Sequence, residues 1–151
     1  MLPKKHFLFG TLFAIVLALI FPMLGVIPFL IIVASTFLID VDHYLYYVYE
    51  SKDVNPKRAI KWFMDKRAKF RKLSSNEKKK VYTCFRFLHG LEWVILFVFL
   101  GIFVSNYFIF VFVGISFHLI LDYIEEAIND ERMDKVSIIW DWFKYKKLKK
   151  L

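Results

Sequence analysis

The chain has four histidines, and three of them stand three or four residues from a carboxylate. Asp40 precedes His43 by three, Glu92 follows His89 by three, and Asp122 follows His118 by four. On a helix such spacing puts imidazole and carboxylate on one face. Glu125, seven beyond His118, continues the same stripe. Asp42 lies off the Asp40–His43 face unless the helix loosens there. The fourth histidine, His6, stands near the start. Imidazoles and carboxylates projecting from neighbouring helices are how bundles build metal sites. With one cysteine in the chain, Cys84, the donor set suits Zn²⁺, Mn²⁺ or Fe²⁺ better than Cu⁺. A Lewis acid held there would activate water near neutral pH, and a spare carboxylate could act as general base. Asp42 and Glu92 are the candidates for the base or for a group that orients a ligand. Arg86 is the candidate for stabilising a phosphoryl oxygen.

These residues need elements to carry them. The chain is 58% hydrophobic with 18 Phe, yet holds 22 Lys+Arg against 14 Asp+Glu. Greasiness and charge on that scale coexist only when segregated along the chain, and they are. Residues 7–21, 24–39 and 93–121 are apolar, the last broken by Ser105-Asn106-Tyr107 and His118. A span needs about 20 apolar residues to cross about 30 Å of hydrocarbon. The pattern predicts an all-α integral membrane protein, one unit over 1–151, with four spans at residues 6–22, 25–47, 86–104 and 107–127. A short turn with Pro22, Gly25 and Pro28 joins the first two. The absence of a small-residue cleavage site after residue 22 favours an uncleaved first helix over a signal peptide.

Charge sets the orientation. Residues 50–80 carry twelve Lys+Arg against four Asp+Glu, and five lysines lie from Lys144 on. The turns near 22–25 and 105–107 have none. The positive-inside rule then puts both termini and the 50–80 loop in the cytoplasm, in a multi-pass cell-membrane protein. All four histidines fall on that side. Asn55-Pro56 reads as a helix start and Ser74-Ser75-Asn76-Glu77 as a capping box. A basic amphipathic helix is expected at 56–72 and a basic C-terminal helix within the 129–151 tail. Anionic headgroups are the expected partners of 50–80 and 144–151, rather than nucleic acid.

At these same residues the chain resembles the small membrane-bound metal-dependent hydrolases, the LexA-binding, inner-membrane-associated hydrolase type. The resemblance covers most of 6–127. It rests on HFLFG (His6), DVDH (Asp40 to His43), FLHGLEW (His89) and HLILD (His118, Asp122). It implies a polytopic membrane protein with a metal-dependent hydrolase site, similar to the zinc-dependent phospholipase C pattern. It implies His6, Asp40, His43, His89, His118 and Asp122 as ligands. The family's H-R-G-x-x-H stretch is matched only by CFRFLHG, where Arg86 is present and the extra His is not. That departure bears on a second or third metal.

Hydrolysis of a phosphoester, lipid or lipid-linked, is the expected activity. Two other readings stand beside it. One is a non-catalytic metal-binding membrane protein, a scaffold or small transporter. The outer halves of the spans carry only Thr11, Ser35, Thr36 and the Ser105–Asn106 turn, which weakens a transporter. The other is a structural core of hydrogen-bonded His and Asp. Single members have plainer readings too: Asp40 and Asp42 as a helix end at the headgroups, Glu92 as a neutraliser of Arg86, and Glu126, Asp130 and Glu131 as solvated. Tyr44, Tyr46, Tyr47, Tyr49 and Trp93 read as interface belt or packing.

Overall fold

The computed structural model describes residues 3–129 and 136–151, and the fold is all-α with one two-residue strand pair. The chain divides into two compact units, Met1–Asp40 with Leu91–Glu125, and Val41–Gly90 with Glu126–Leu151.

The first unit is built from α1 (Pro3–Ile20), α2 (Val26–Leu38), α6 (Leu91–Phe103) and the 107–125 part of α7 (Tyr107–Asn129). A 3₁₀ turn, Pro22–Leu24, links α1 to α2, and Gly25 follows it at φ 74°, a left-handed conformation that disfavours any side chain. The α6–α7 turn is closed by Ser105, whose carbonyl accepts the Phe108 N–H at 3.0 Å.

Two glycines let the helices meet. A Cβ on Gly10 would lie 2.6 Å from Thr36 Cγ2, so α1 touches α2 there. A Cβ on Gly114 would lie 2.6 Å from the Ile32 carbonyl oxygen, so α7 rests on the backbone of α2. Backbone cannot rotate away. Gly114→Ala is therefore expected to cost about 1–3 kcal/mol. Gly101→Ala, which meets chiefly the tip of the Ile109 side chain, is expected to cost less. Thermal unfolding of both variants in detergent checks the order.

The second unit holds α3 (Val41–Ser51), α4 (Pro56–Arg71), α5 (Ser75–Lys78), α8 (Ile138–Lys147) and a parallel pair, β1 (Val81–Tyr82) with β2 (Lys149–Lys150). The caps sit where the sequence puts them. Asn55 Oδ1 accepts the Lys57 and Arg58 N–H groups at the start of α4. Ser74 and Glu77 form a reciprocal capping box at α5. Asp53 ties the α3–α4 turn to α4 through a two-bond pair with Arg58, which holds its carboxyl well below the usual range. Trp62 of α4 packs against Tyr46 and Tyr47 of α3, both buried, so these tyrosines are packing residues, while Tyr49 is exposed.

Two stretches, Val26–Ser51 and Tyr107–Ile128, are long and apolar enough to cross a membrane. The segment expected to span 86–104 becomes helical only at Leu91, since Phe87–His89 is a 3₁₀ turn and Gly90 is extended. Within that turn Asp42 Oδ2 accepts the Leu88 N–H at 2.8 Å. At 13 residues α6 is about 20 Å long. The 25–47 helix is likewise interrupted, by a turn at Ile39–Asp40.

Candidate metal centre

Four of the expected site residues meet in the first unit. His6 comes from the first turns of α1, Asp40 from the turn after α2, and His118 and Asp122 from one face of α7. All four are buried, the two imidazoles completely. His6 Nε2 lies 3.1 Å from Asp122 Oδ1 and 4.0 Å from Asp40 Oδ2. His118 Nε2 lies 3.6 Å from Asp122 Oδ2 and 3.7 Å from Asp40 Oδ1.

The His118 tautomer is set by backbone. Its Nδ1–H donates to the Thr36 carbonyl at 2.8 Å. Thr36 lies in the last turn of α2, where carbonyls lack intrahelical partners. The Asp40 N–H turns instead to Phe37 O at 3.3 Å. The turn that interrupts the helix thus supplies an acceptor for the imidazole. The Thr36 hydroxyl is held in place by Ile32 O (2.8 Å) and Gly114 O (3.3 Å). With Nδ1–H committed to Thr36, it is Nε2 that faces the two carboxylates. This is how metal-ligating histidines are oriented.

His6 differs. Neither ring nitrogen has a hydrogen-bond partner among the described residues, despite the 3.1 Å approach to Asp122. Its ring stacks on that of His118 with centroids 3.9 Å apart. The cluster therefore holds two buried carboxylates and two stacked imidazoles. Neutralising it with two imidazolium protons sets like charges face to face, at about 4 kcal/mol for an effective dielectric of about 20. One divalent cation balances the two carboxylates without that repulsion. His6, His118 and Asp122 offer ligand atoms all within 4.8 Å of one another, so these buried groups could hold a metal ion.

No protein-family model, curated protein or solved structure matches this chain. The site must speak through its own geometry.

His43, His89, Asp42 and Arg86 belong to the second unit. His89 Nδ1–H donates to Asp42 Oδ2 at 2.9 Å, and Asp42 also takes the Leu88 N–H. Asp42 thus orients an imidazole. The His43 ring lies 4.9 Å from that of His89, and its Nδ1 is 4.0 Å from Cys84 Sγ. Burial pushes the Cys84 thiol up, so it is a poor nucleophile at neutral pH. Glu92 lies in the first unit at the start of α6, half-buried.

Arg86 is occupied. Its Nη1 donates to Glu126 Oε1 at 3.0 Å, and its backbone N–H reaches Asp141 Oδ2 at 3.4 Å. Glu126, expected to be solvated, is buried because this guanidinium compensates it. Asp130 and Glu131 lie outside the described residues. Thr36, read from the sequence as an outer-half residue, holds His118 instead. The one available signal was a polar residue four before Asp40 on an apolar helix.

Proposed function

We propose that this chain is a four-span membrane protein that binds one divalent metal between His6, Asp40, His118 and Asp122 and uses it to hydrolyse a phosphoester. The observation that carries the metal is the tautomer. The Thr36 carbonyl fixes the proton on His118 Nδ1 and leaves Nε2 facing two buried carboxylates. Zinc is the first choice, with Mn or Fe as alternatives. When bound, the metal would supply Lewis acidity to an attacking water and a phosphoryl oxygen. The protein's share is to hold the donors: α7 sets His118 and Asp122, and the turn after α2 sets Asp40.

The membrane reading is supported by an inside-out first unit. Its buried residues include His6, Thr36, Asp40, His118 and Asp122, while Leu19 is 76% and Ile95 69% exposed. Only 28% of each candidate span is buried, whereas a core helix of a water-soluble protein is mostly covered. The basic loop and tail favour a cytoplasmic placement for both termini. A substrate at headgroup depth follows, lipid or lipid-linked. The resemblance of HFLFG, DVDH, FLHGLEW and HLILD to membrane-bound metal-dependent hydrolases points the same way.

One observation favours a second reading, a non-catalytic metal centre. All four donors are buried, and structural metal sites are closed where catalytic ones keep a position open. Metal analysis and assay separate the two. Purified in mild detergent, the chain is expected to carry about one equivalent of Zn, Mn or Fe, as structural and catalytic sites of this donor number do. Asp40→Ala and His118→Ala should lose it. Metal with phosphodiester or phospholipid hydrolysis supports the hydrolase; metal without it supports the second reading. A chain that takes up none of these ions leaves neither standing.

A further inference from the structure

Helix α8 of the second unit buries its one carboxylate and exposes its hydrophobes. Asp141 is buried and accepts the Arg86 N–H. Tyr145 turns inward against Tyr82 and Phe85. Ile139, Trp140 and Phe143 face away from that core, 65%, 60% and 52% exposed. They sit one and four residues apart, on one face. Lys146 and Lys147 follow Ile139 and Trp140 by seven residues and continue that face. Lys144 Nζ is 5.9 Å from the Trp140 ring and Lys146 Nζ is 4.8 Å from the Trp142 ring. A helix bathed in water has the opposite arrangement.

We propose that the Ile139–Trp140–Phe143 face of α8 inserts into the headgroup–acyl boundary of an anionic phospholipid bilayer. The occupant follows from the chemistry of the face. Indole and phenyl suit the boundary, where one end of the ring is apolar and the other wet. Lysine stems lie along apolar surface while their ammonium groups reach phosphates. The centre of a protein–protein interface is depleted in lysine, so the lysines along this face favour lipid over a protein partner. The chain carries a net charge of +8, complementary to an anionic surface. This inference rests on the membrane reading above, which is what brings α8 to a bilayer. It adds that the second unit is fastened there by its own wedge.

The test uses the full chain reconstituted into phosphatidylcholine vesicles with and without phosphatidylglycerol. Subtracting the fluorescence of Trp140→Phe isolates the Trp140 signal. That signal is expected to be quenched by brominated phosphatidylcholine and shielded from aqueous acrylamide. Replacing Lys144, Lys146 and Lys147 by Gln should weaken docking about fivefold per lysine when phosphatidylglycerol is present. Quenching by acrylamide alone puts α8 in water and overturns the proposal. Protection from both quenchers means that protein covers the face, and overturns it equally. Alkaline carbonate washing keeps the two readings apart. A chain retained in the membrane with Trp140 in water sinks the wedge alone; a chain washed out sinks both.

Discussion

Asp122→Ala is expected to lower the unfolding free energy by about 3–5 kcal/mol and to abolish any response of thermal stability to chelator or added divalent cation. Asp122 is the carboxylate nearest both imidazoles, 3.1 Å from His6 Nε2 and 3.6 Å from His118 Nε2. Its removal leaves one carboxylate, Asp40, for two buried rings and any cation between them. The two effects separate in the measurement. A ligand held at a hundred times its Kd stabilises the folded state by about 2.7 kcal/mol. Chelation of the unmodified chain should therefore cost on the order of 3 kcal/mol, visible as a lower unfolding temperature in detergent. Asp122→Asn keeps the shape and loses the charge, so it should drop the chelator response while retaining more of the packing. A hydrogen-bonded core of protonated imidazoles predicts no chelator response in the unmodified chain. That outcome, or an undiminished response in Asp122→Asn, would remove the metal from this cluster.

The parts of this site that were legible in the sequence are those encoded by local spacing. His118 and Asp122 lie one helical turn apart, and a helix of that apolarity leaves few reasons for either. Asn55-Pro56 and Ser74 with Glu77 were legible for the same reason, since a cap is built within four residues. Thr36 was not, because its contribution to His118 is a backbone carbonyl, which every residue possesses. What freed that carbonyl is the turn at Ile39–Asp40; the two aspartates of FLIDVDH allowed a loosened helix or a helix end there but did not say which carbonyl it would release. The late start of α6 was hidden too. The Leu88 N–H is taken by a carboxylate 46 residues earlier, and only the tertiary fold brings the two together. Aromatic residues near a charge boundary carry the same ambiguity. Tyr46 and Tyr47 read equally as headgroup belt or as packing, and it is packing on Trp62 of α4 that the fold realises.

Arg86→Ala is expected to destabilise the second unit by about 3–5 kcal/mol, and this separates a structural arginine from one that meets substrate. The guanidinium is 10% exposed and the Glu126 carboxylate 7% exposed, with 3.0 Å between Nη1 and Oε1. Deleting the cation leaves Glu126 buried without it, the costly half of a broken pair. Glu126→Gln should cost less, because an amide can still accept the Nη1 hydrogen. Replacing both together, Arg86→Met with Glu126→Met, should restore most of the loss, as apolar side chains of similar volume commonly do for buried pairs. Chemical denaturation of the three variants supplies the numbers. An arginine that stabilises a phosphoryl oxygen predicts another pattern. Its loss would lower turnover while leaving stability near that of the unmodified chain, and the double methionine variant would be stable but inactive. The two patterns diverge most in Arg86→Ala, where one expects a destabilised second unit and the other a stable, silent enzyme.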